Sequence, residues 1–356
     1  MGFPYKRIGS SPTSAGVDGG AFDKFDNYYA EQAGQMLQAS VVSAGSGINA
    51  TGGTITEITQ NGLTWKVHTF TGSGTFAVSS IDATSAPTDI AGKVEYLVVA
   101  GGGSGPNGNG GGAGGGGAGG YRANVGQISP SPESSGGGGS AEAAFPVSAS
   151  PGSYTVTIGA GGAYSTGNRA NNGNDSVFGS ITSTGGGAGN CSNPNGANPG
   201  GSGGGGGEFD GPQEEGGEGT ANQGYDGGEG CGPSPSNCGA GGGGAGGQGG
   251  NGDSSAPSPL GGAAARNGGE GVQSSIDGTA TYRGGGGGAS GNDRTGGNGG
   301  EGGGGGGGAG SGGPGECPEG FSSGTANTGG GGGARYTAPT GQAAGGSGVV
   351  IVRYVK

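Results

Sequence analysis

Hydrophobic positions are sparse along this chain, and they fall into two patterns. Between residues 21 and 39, Phe22, Phe25, Tyr29, Ala33 and Met36 recur at steps of three and four, the spacing of one face of an amphipathic helix. Gly34 interrupts that face, so the pattern predicts a short N-terminal helical segment. The remaining apolar residues are gathered into short runs rich in β-branched and aromatic side chains and bounded by glycine, which predicts strands. Residues 54–59 and 63–70 flank Gln60-Asn61-Gly62, and Asn-Gly between two such runs predicts a hairpin. Further strands are predicted at 75–79, 94–100, 154–158, 177–181 and 349–355. The run 94–100 is almost continuously apolar, as in a strand covered on both faces.

Composition changes this picture. Glycine makes up 109 of the 356 residues and hydrophobic residues only 28%. Collagen is excluded, because glycine keeps no three-residue period and only 18 prolines are present. Each glycine costs about 0.5–1 kcal/mol more than alanine to order, and few large side chains are present to offset that. Either the glycine runs are floppy, or they are ordered by backbone contacts that only glycine permits. The second outcome has a physical form. A polyglycine strand in the polyproline-II conformation has three residues per turn and rises about 3.1 Å per residue, so glycines 302–308 would extend about 22 Å. Glycines 203–207, 284–288 and 329–333 are shorter partners for it. The predicted fold class is therefore mainly β: a small sandwich-like framework with glycine-rich loops that can pack as polyglycine-II helices. The chain divides into residues 1–50, a docking or oligomerisation segment; residues 51–100, a strand region leading into the framework; and residues 101–356, a glycine-rich domain closed by the strand at 349–355.

Irregular inserts at 190–199, 208–215, 231–238, 254–260 and 314–321 separate the glycine runs and read as turns. If the runs pack side by side, these turns collect at the ends of the array, where recognition usually resides. Isolated aromatics in and near the inserts, Tyr164, Phe209, Tyr225 and Phe321, are the candidate binding groups; each can also plug a gap beside the array. Glu208, Asp210, Glu214, Glu215 and Glu218 read as a solvated acidic loop. The four cysteines, 191, 231, 238 and 317, allow three pairings. Local spacing makes Cys231 and Cys238 the disulfide candidate, and the spacings do not match a zinc site.

The remaining chemical signals argue against catalysis. Val98-Val99-Ala100-Gly101-Gly102-Gly103-Ser104-Gly105 imitates a dinucleotide fingerprint, but Pro106-Asn107-Gly108 follows where that fingerprint needs a helix. His68, the single histidine, lies in a predicted strand with no activated nucleophile indicated. No cofactor or metal and no enzymatic activity are expected. The net charge of −12 opposes nucleic-acid binding, no apolar run has membrane-spanning length, and the first residues carry no secretory signal.

One ordered set of blocks is more specific. Residues 65–78 (WKVHTFTGSGTFAV) lead to Val94-Glu95-Tyr96-Leu97-Val98-Val99-Ala100-Gly101-Gly102-Gly103, then to Gly119-Gly120-Tyr121-Arg122, Tyr154-Thr155-Val156-Thr157-Ile158-Gly159, Ser176-Val177-Phe178-Gly179 and Gly348-Val349-Val350-Ile351-Val352-Arg353-Tyr354. Over roughly residues 60–356 the chain resembles the glycine-rich domain of phage tail fibres and related virion or surface proteins. The resemblance implies a β framework enclosing glycine-rich excursions. The alternation of runs and inserts is also similar to phage adhesins whose polyglycine-II bundle displays variable tip loops. It further implies a virion location on an extracellular appendage, attachment to other virion proteins through residues 1–50, contact with a host surface receptor, and a homotrimer. The alternative is a purely structural head fibre, decoration protein or fibre shaft without receptor binding.

Overall fold

The computed structural model describes residues 46–82, 91–108, 112–125, 133–165, 170–191, 196–207, 214–231, 238–252, 266–291, 296–305, 322–335 and 343–356. The N-terminal helical segment expected at 21–39 lies outside the described residues. Among the described residues all regular elements are strands. Residues from Gly45 to Lys356 form one compact unit.

Two antiparallel sheets organise that unit. The first has the order β1 (Ile48–Thr51), β4 (Gly74–Ile81), β8 (Ser153–Thr157), β9 (Ser176–Phe178), β10 (Ile181–Ser183). The second has the order β2 (Thr54–Gln60), β3 (Leu63–Phe70), β13 (Val349–Val355), β5 (Lys93–Val99), β6 (Tyr121–Asn124), with β7 (Phe145–Pro146) also paired to β5. A separate hairpin joins β11 (Val272–Ser274) to β12 (Thr281–Arg283). The expected turn between β2 and β3 is present, with Asn61 and Gly62 at φ of 53° and 76°, as a two-residue hairpin loop requires. The single strand expected at 177–181 is instead the β9–β10 hairpin. Gly179 adopts a φ of 57° there and reverses the chain, pairing Phe178 with Ile181.

Side chains alternate between two apolar clusters, as the two-residue period of a strand dictates. From β5 and β13, Val94, Tyr96, Val98, Val350, Val352 and Tyr354 face inward and meet Phe76, Val78, Val156 and Phe178 of the first sheet. The intervening Leu97, Val99, Val349, Ile351 and Val355 join Trp65, Val67, Tyr121 and Ile276 on the other face. All residues of β13 are buried. Arg353 sits opposite Glu95 in the register. Their buried ion pair spans 2.8 Å, the guanidinium lies 4.2 Å from the centre of the Trp65 ring, and Nη1 donates to Gln60 Oε1 and to the Ile276 carbonyl. These added bonds are what make a buried ion pair tolerable.

The glycine segments pack beside this sandwich through their backbones. In residues 113–120 the N–H groups of Gly115 and Ala118 donate to Ala240 and Gly243, those of Gly116 and Gly119 to Gly332 and Gly329, and those of Gly117 and Gly120 to Gly187 and Thr184. The carbonyls accept in the same rhythm: Ala113 and Gly116 from Ser290 and Gly287, Gly115 and Ala118 from Gly205 and Ser202, Gly117 and Gly120 from Gly103 and Ala100. Each neighbour thus returns every third residue, and one segment is ringed by three acceptors and three donors. Residues 240–245 donate in the same period, to 206 and 203, to 250 and 247, and to 287 and 284. Asparagine and aspartate side chains fix the register at segment ends: Asn172 Oδ1 accepts from Ala188 N at 2.9 Å, Asn267 Oδ1 from Asn298 N at 2.9 Å, and Asp175 Oδ1 from Gly185 N at 2.8 Å.

This packing leaves no room for side chains at most lattice positions. A methyl on Gly116 would overlap the carbonyl of Gly103, whereas at Gly72 it would meet nothing within 4 Å. Gly116→Ala is expected to cost at least about 1–3 kcal/mol, the usual cost of overpacking, and Gly72→Ala less than about 0.5 kcal/mol. Urea unfolding of the two variants checks this contrast. His68 supplies a pH signature. It is buried between Phe76 and Tyr354, with Nδ1 2.8 Å from the Gly52 carbonyl. Burial lowers its pKa, the Gly52 bond opposes that shift, and Lys66 adds to it. Because the unfolded chain takes up the proton first, this contribution is complete above about pH 6.5 and is lost as pH falls below it. His68→Phe is expected to flatten that part of the stability profile.

Candidate functional site

Glycine segments alternately leave the sandwich and return to it. Residues 101–105 continue outward from β5, and 113–120 come back to β6, with Gly103 N bonded to Gly117 O and Ala100 N to Gly120 O. Segments 225–230 and 239–245 repeat this, with Tyr225 N bonded to Gly244 O and Gly228 N to Gly241 O. On the sandwich side the returns are tight. Gln223 N bonds Thr220 O, Gly244 N bonds Gly247 O, and Asn222 and Asn327 take φ values of 60° and 63°. The wide connections between glycine segments depart from the opposite end. Their flanking residues there include Gly207 and Glu214, Cys231 and Cys238, and Ser290 and Gly297, bonded across their own connection or to a neighbouring segment.

That far end is knitted by its own contacts. Cys231 and Cys238 form a disulfide with Cα atoms 5.5 Å apart, and Cys231 N donates to Cys238 O at 3.1 Å. Cys191 is buried with Ala113 and Ala334, its Sγ 3.4 Å from the Gly108 carbonyl. Glu214 is buried, and its Oε2 accepts from Gly207 N at 2.9 Å and Asn190 Nδ2 at 3.1 Å. The solvated acidic loop therefore does not hold for Glu214, whose carboxylate accepts from one glycine amide and one asparagine side chain. Glu215 and Glu218 are exposed, and Glu208 and Asp210 lie outside the described residues.

The four candidate aromatics do not form one site. Tyr164 accepts a hydrogen bond from Arg335 Nη1 at 2.7 Å, and the guanidinium stands 5.3 Å from its ring centre. The ring thereby covers a buried arginine near the far end. Tyr225 begins a segment on the sandwich side, its hydroxyl close to Gly138. Phe209 and Phe321 lie outside the described residues.

A concavity that no sequence spacing signalled lies on the sandwich side. It has a volume of about 690 Å³ and is lined by Arg122, Ser140, Glu142, Asn222 and Gln223 among others. Arg122 grips Glu142 through Nε at 2.7 Å and Nη2 at 2.6 Å, and Tyr96 donates to the same carboxylate at 2.8 Å. The Glu142 bond holds the Arg122 pKa up. Burial, and then Glu142, push the Tyr96 hydroxyl well above its ordinary value. The arrangement is a closed charge pair with its hydrogen bonds used internally, and it fixes the strand β6 to residue 142. Among the described residues no group of three His, Cys, Asp or Glu side chains is placed to hold a metal ion, and no helix is long and apolar enough to cross a membrane.

A family model described as a glycine-rich domain matches residues 79–355. No curated protein matches the chain.

The disulfide closes a short loop of sequence separation 7, for which chain entropy assigns about 2–3 kcal/mol. The double variant Cys231→Ser, Cys238→Ser is expected to lose that much unfolding free energy in chemical denaturation. In the unreduced wild-type protein, neither thiol is expected to react with iodoacetamide.

Proposed function

The chain belongs to the glycine-rich domain family over residues 79–355, and from that premise we propose that it is a structural and adhesive protein of a phage virion, a tail fibre or adhesin. In this reading the glycine array is a polyglycine-II bundle: partners returning every third residue match the three residues per turn of that helix. The bundle serves as a stiff spacer, the sandwich closes one end, and the inserts present irregular surface at the other. One observation carries the proposal: tight turns join glycine segments on the sandwich side, while the wide connections between them depart from the far end. A scaffold whose segments bond one another laterally is suited to displaying variable loops, because changes in a loop leave the lattice bonds untouched.

The protein acts without catalysis or cofactor. It joins other virion proteins through residues 1–50, assembles as a homotrimer, and contacts a surface receptor of the host from the far end of the bundle. Purified protein is expected to bind susceptible cells and to block infection in competition with whole phage. Replacing residues 208–213 and 232–237 by glycine-serine linkers is expected to abolish both effects without lowering the unfolding midpoint. Wild-type protein that neither binds cells nor competes, yet is seen on the virion by electron microscopy, would mark a fibre shaft, head fibre or decoration protein instead.

A further inference from the structure

Segments 214–219, 225–230, 248–252, 266–271 and 297–302 lie side by side as one outer layer of the glycine lattice. Gly227 N bonds Gly217 O, Gly249 N bonds Asp226 O, Gly250 N bonds Asn267 O, and Gly271 N bonds Glu301 O. Behind the layer the same segments bond to inner ones: Gly217 N to Gly204 O, Gly228 N to Gly241 O, Gly269 N to Gly242 O, and Gly300 N to Gly286 O. The third direction faces solvent. Unlike inner runs such as 113–120, each outer segment carries a mark in its sequence, two polar residues separated by two glycines: Glu215-Gly216-Gly217-Glu218, Asp226-Gly227-Gly228-Glu229, Gln248-Gly249-Gly250-Asn251, Asn267-Gly268-Gly269-Glu270 and Asn298-Gly299-Gly300-Glu301. Three residues per turn bring the two polar residues of a segment to one side. All of them are exposed except Asn267, which is half-buried.

The backbone at these positions is also distinct. The N–H groups of Glu215, Glu218, Asp226, Gln248, Glu270 and Glu301 meet no acceptor among the described residues, while those of Gly217, Gly227, Gly269 and Gly300 are bonded to neighbouring segments. The N–H groups of Glu229 and Asn298 donate to the side chains of Asn251 and Asn267. A layer with unbonded amides is to a glycine lattice what an edge strand is to a sheet. It is a template for more backbone of the same kind, and proteins blunt such edges with charged side chains.

We propose that the side chains at these outward positions terminate the lattice, holding off a second copy of this chain whose own outer layer would otherwise stack here. Where segments abut, a Cβ has no room: a methyl on Gly228 would overlap the Gly250 carbonyl, and one on Gly300 the Gly269 carbonyl. A glutamate or asparagine in the outward position therefore keeps another backbone beyond bonding distance. Among the described residues of the layer no lysine or arginine is exposed, so the carboxylates also repel a like layer before contact, a longer-range effect that salt screens. Bulk sets the barrier. The width of the bundle is thus written into the spacing of its polar residues.

The full chain carrying Glu215→Gly, Glu218→Gly, Asp226→Gly and Glu229→Gly bares two adjacent segments. Its sedimentation coefficient is expected to rise with concentration beyond that of the wild-type assembly. A second variant, Glu215→Gln, Glu218→Gln, Asp226→Asn and Glu229→Gln, removes the charge but keeps the bulk, and is expected to sediment as wild type does. A folded glycine variant with wild-type sedimentation, or an amide variant that associates equally, would overturn the proposal. Hydrogen exchange on the wild-type protein tests the same layer, and decides the matter if the glycine variant does not fold. The amides of Glu218, Glu270 and Glu301 are expected to exchange at least about tenfold faster than those of Gly217, Gly269 and Gly300. Equal protection of the two sets means that another chain already covers this layer, and the proposal fails.

Discussion

Glycine-rich backbones in this protein approach one another more closely than a Cβ atom allows at most lattice positions, and the rest of the molecule follows from that constraint. Ordering so many glycines carries a large entropic cost. The structure meets it by sideways bonding: a segment such as 113–120 bonds to others on all sides, and so its buried N–H and C=O groups are satisfied without a sheet or an α-helix. A lattice of this kind has almost no side-chain code. Register must be set at the ends, where asparagine and aspartate side chains clip individual amides, and where a few alanines such as Ala113, Ala240 and Ala289 occupy sites with room for a methyl.

The sandwich supplies what the lattice lacks. Its strands have alternating, interlocking side chains that define one register, and a one-residue slip would turn Ile351 and Val352 to the wrong clusters. Arg353 adds a directional element, since its ion pair with Glu95 and its bonds to Gln60 and Ile276 are satisfied together only in that register. Segments joined to β5, β6, β8, β10 and β12 therefore start or end at fixed positions, and the glycine lattice inherits its alignment from them.

How much of this was legible in the sequence differs by physical cause. Strands with dense apolar runs, 94–100 and 349–355, were visible because burial on both faces writes a continuous hydrophobic string. The β2–β3 hairpin was visible because Asn61-Gly62 needs left-handed backbone at both positions. The β11–β12 hairpin was obscured by polar surroundings, although Asp277-Gly278 is also a turn signal, with Gly278 at a φ of 90°. Order in the glycine runs was not legible, since lateral bonds between residues such as 116 and 332 leave no periodic mark. The same holds for the Arg122–Glu142 concavity and for the pairing of Tyr164 with Arg335, which are made by segments far apart in the chain. The acidic cluster misled in one respect, because Glu214 is an internal acceptor rather than a surface charge.

β13 lies between β3 and β5, so the central strand of the second sheet is synthesised after all of the glycine segments it helps to align. The sandwich cannot close while the ribosome is still making residues 101–348. Contacts of such long sequence separation slow folding and lengthen the time spent exposed. What waits during that interval is unusually harmless: glycine segments with few apolar side chains offer little for other chains to stick to. The same composition that demands lateral bonding in the native state thus protects the nascent chain until β13 arrives.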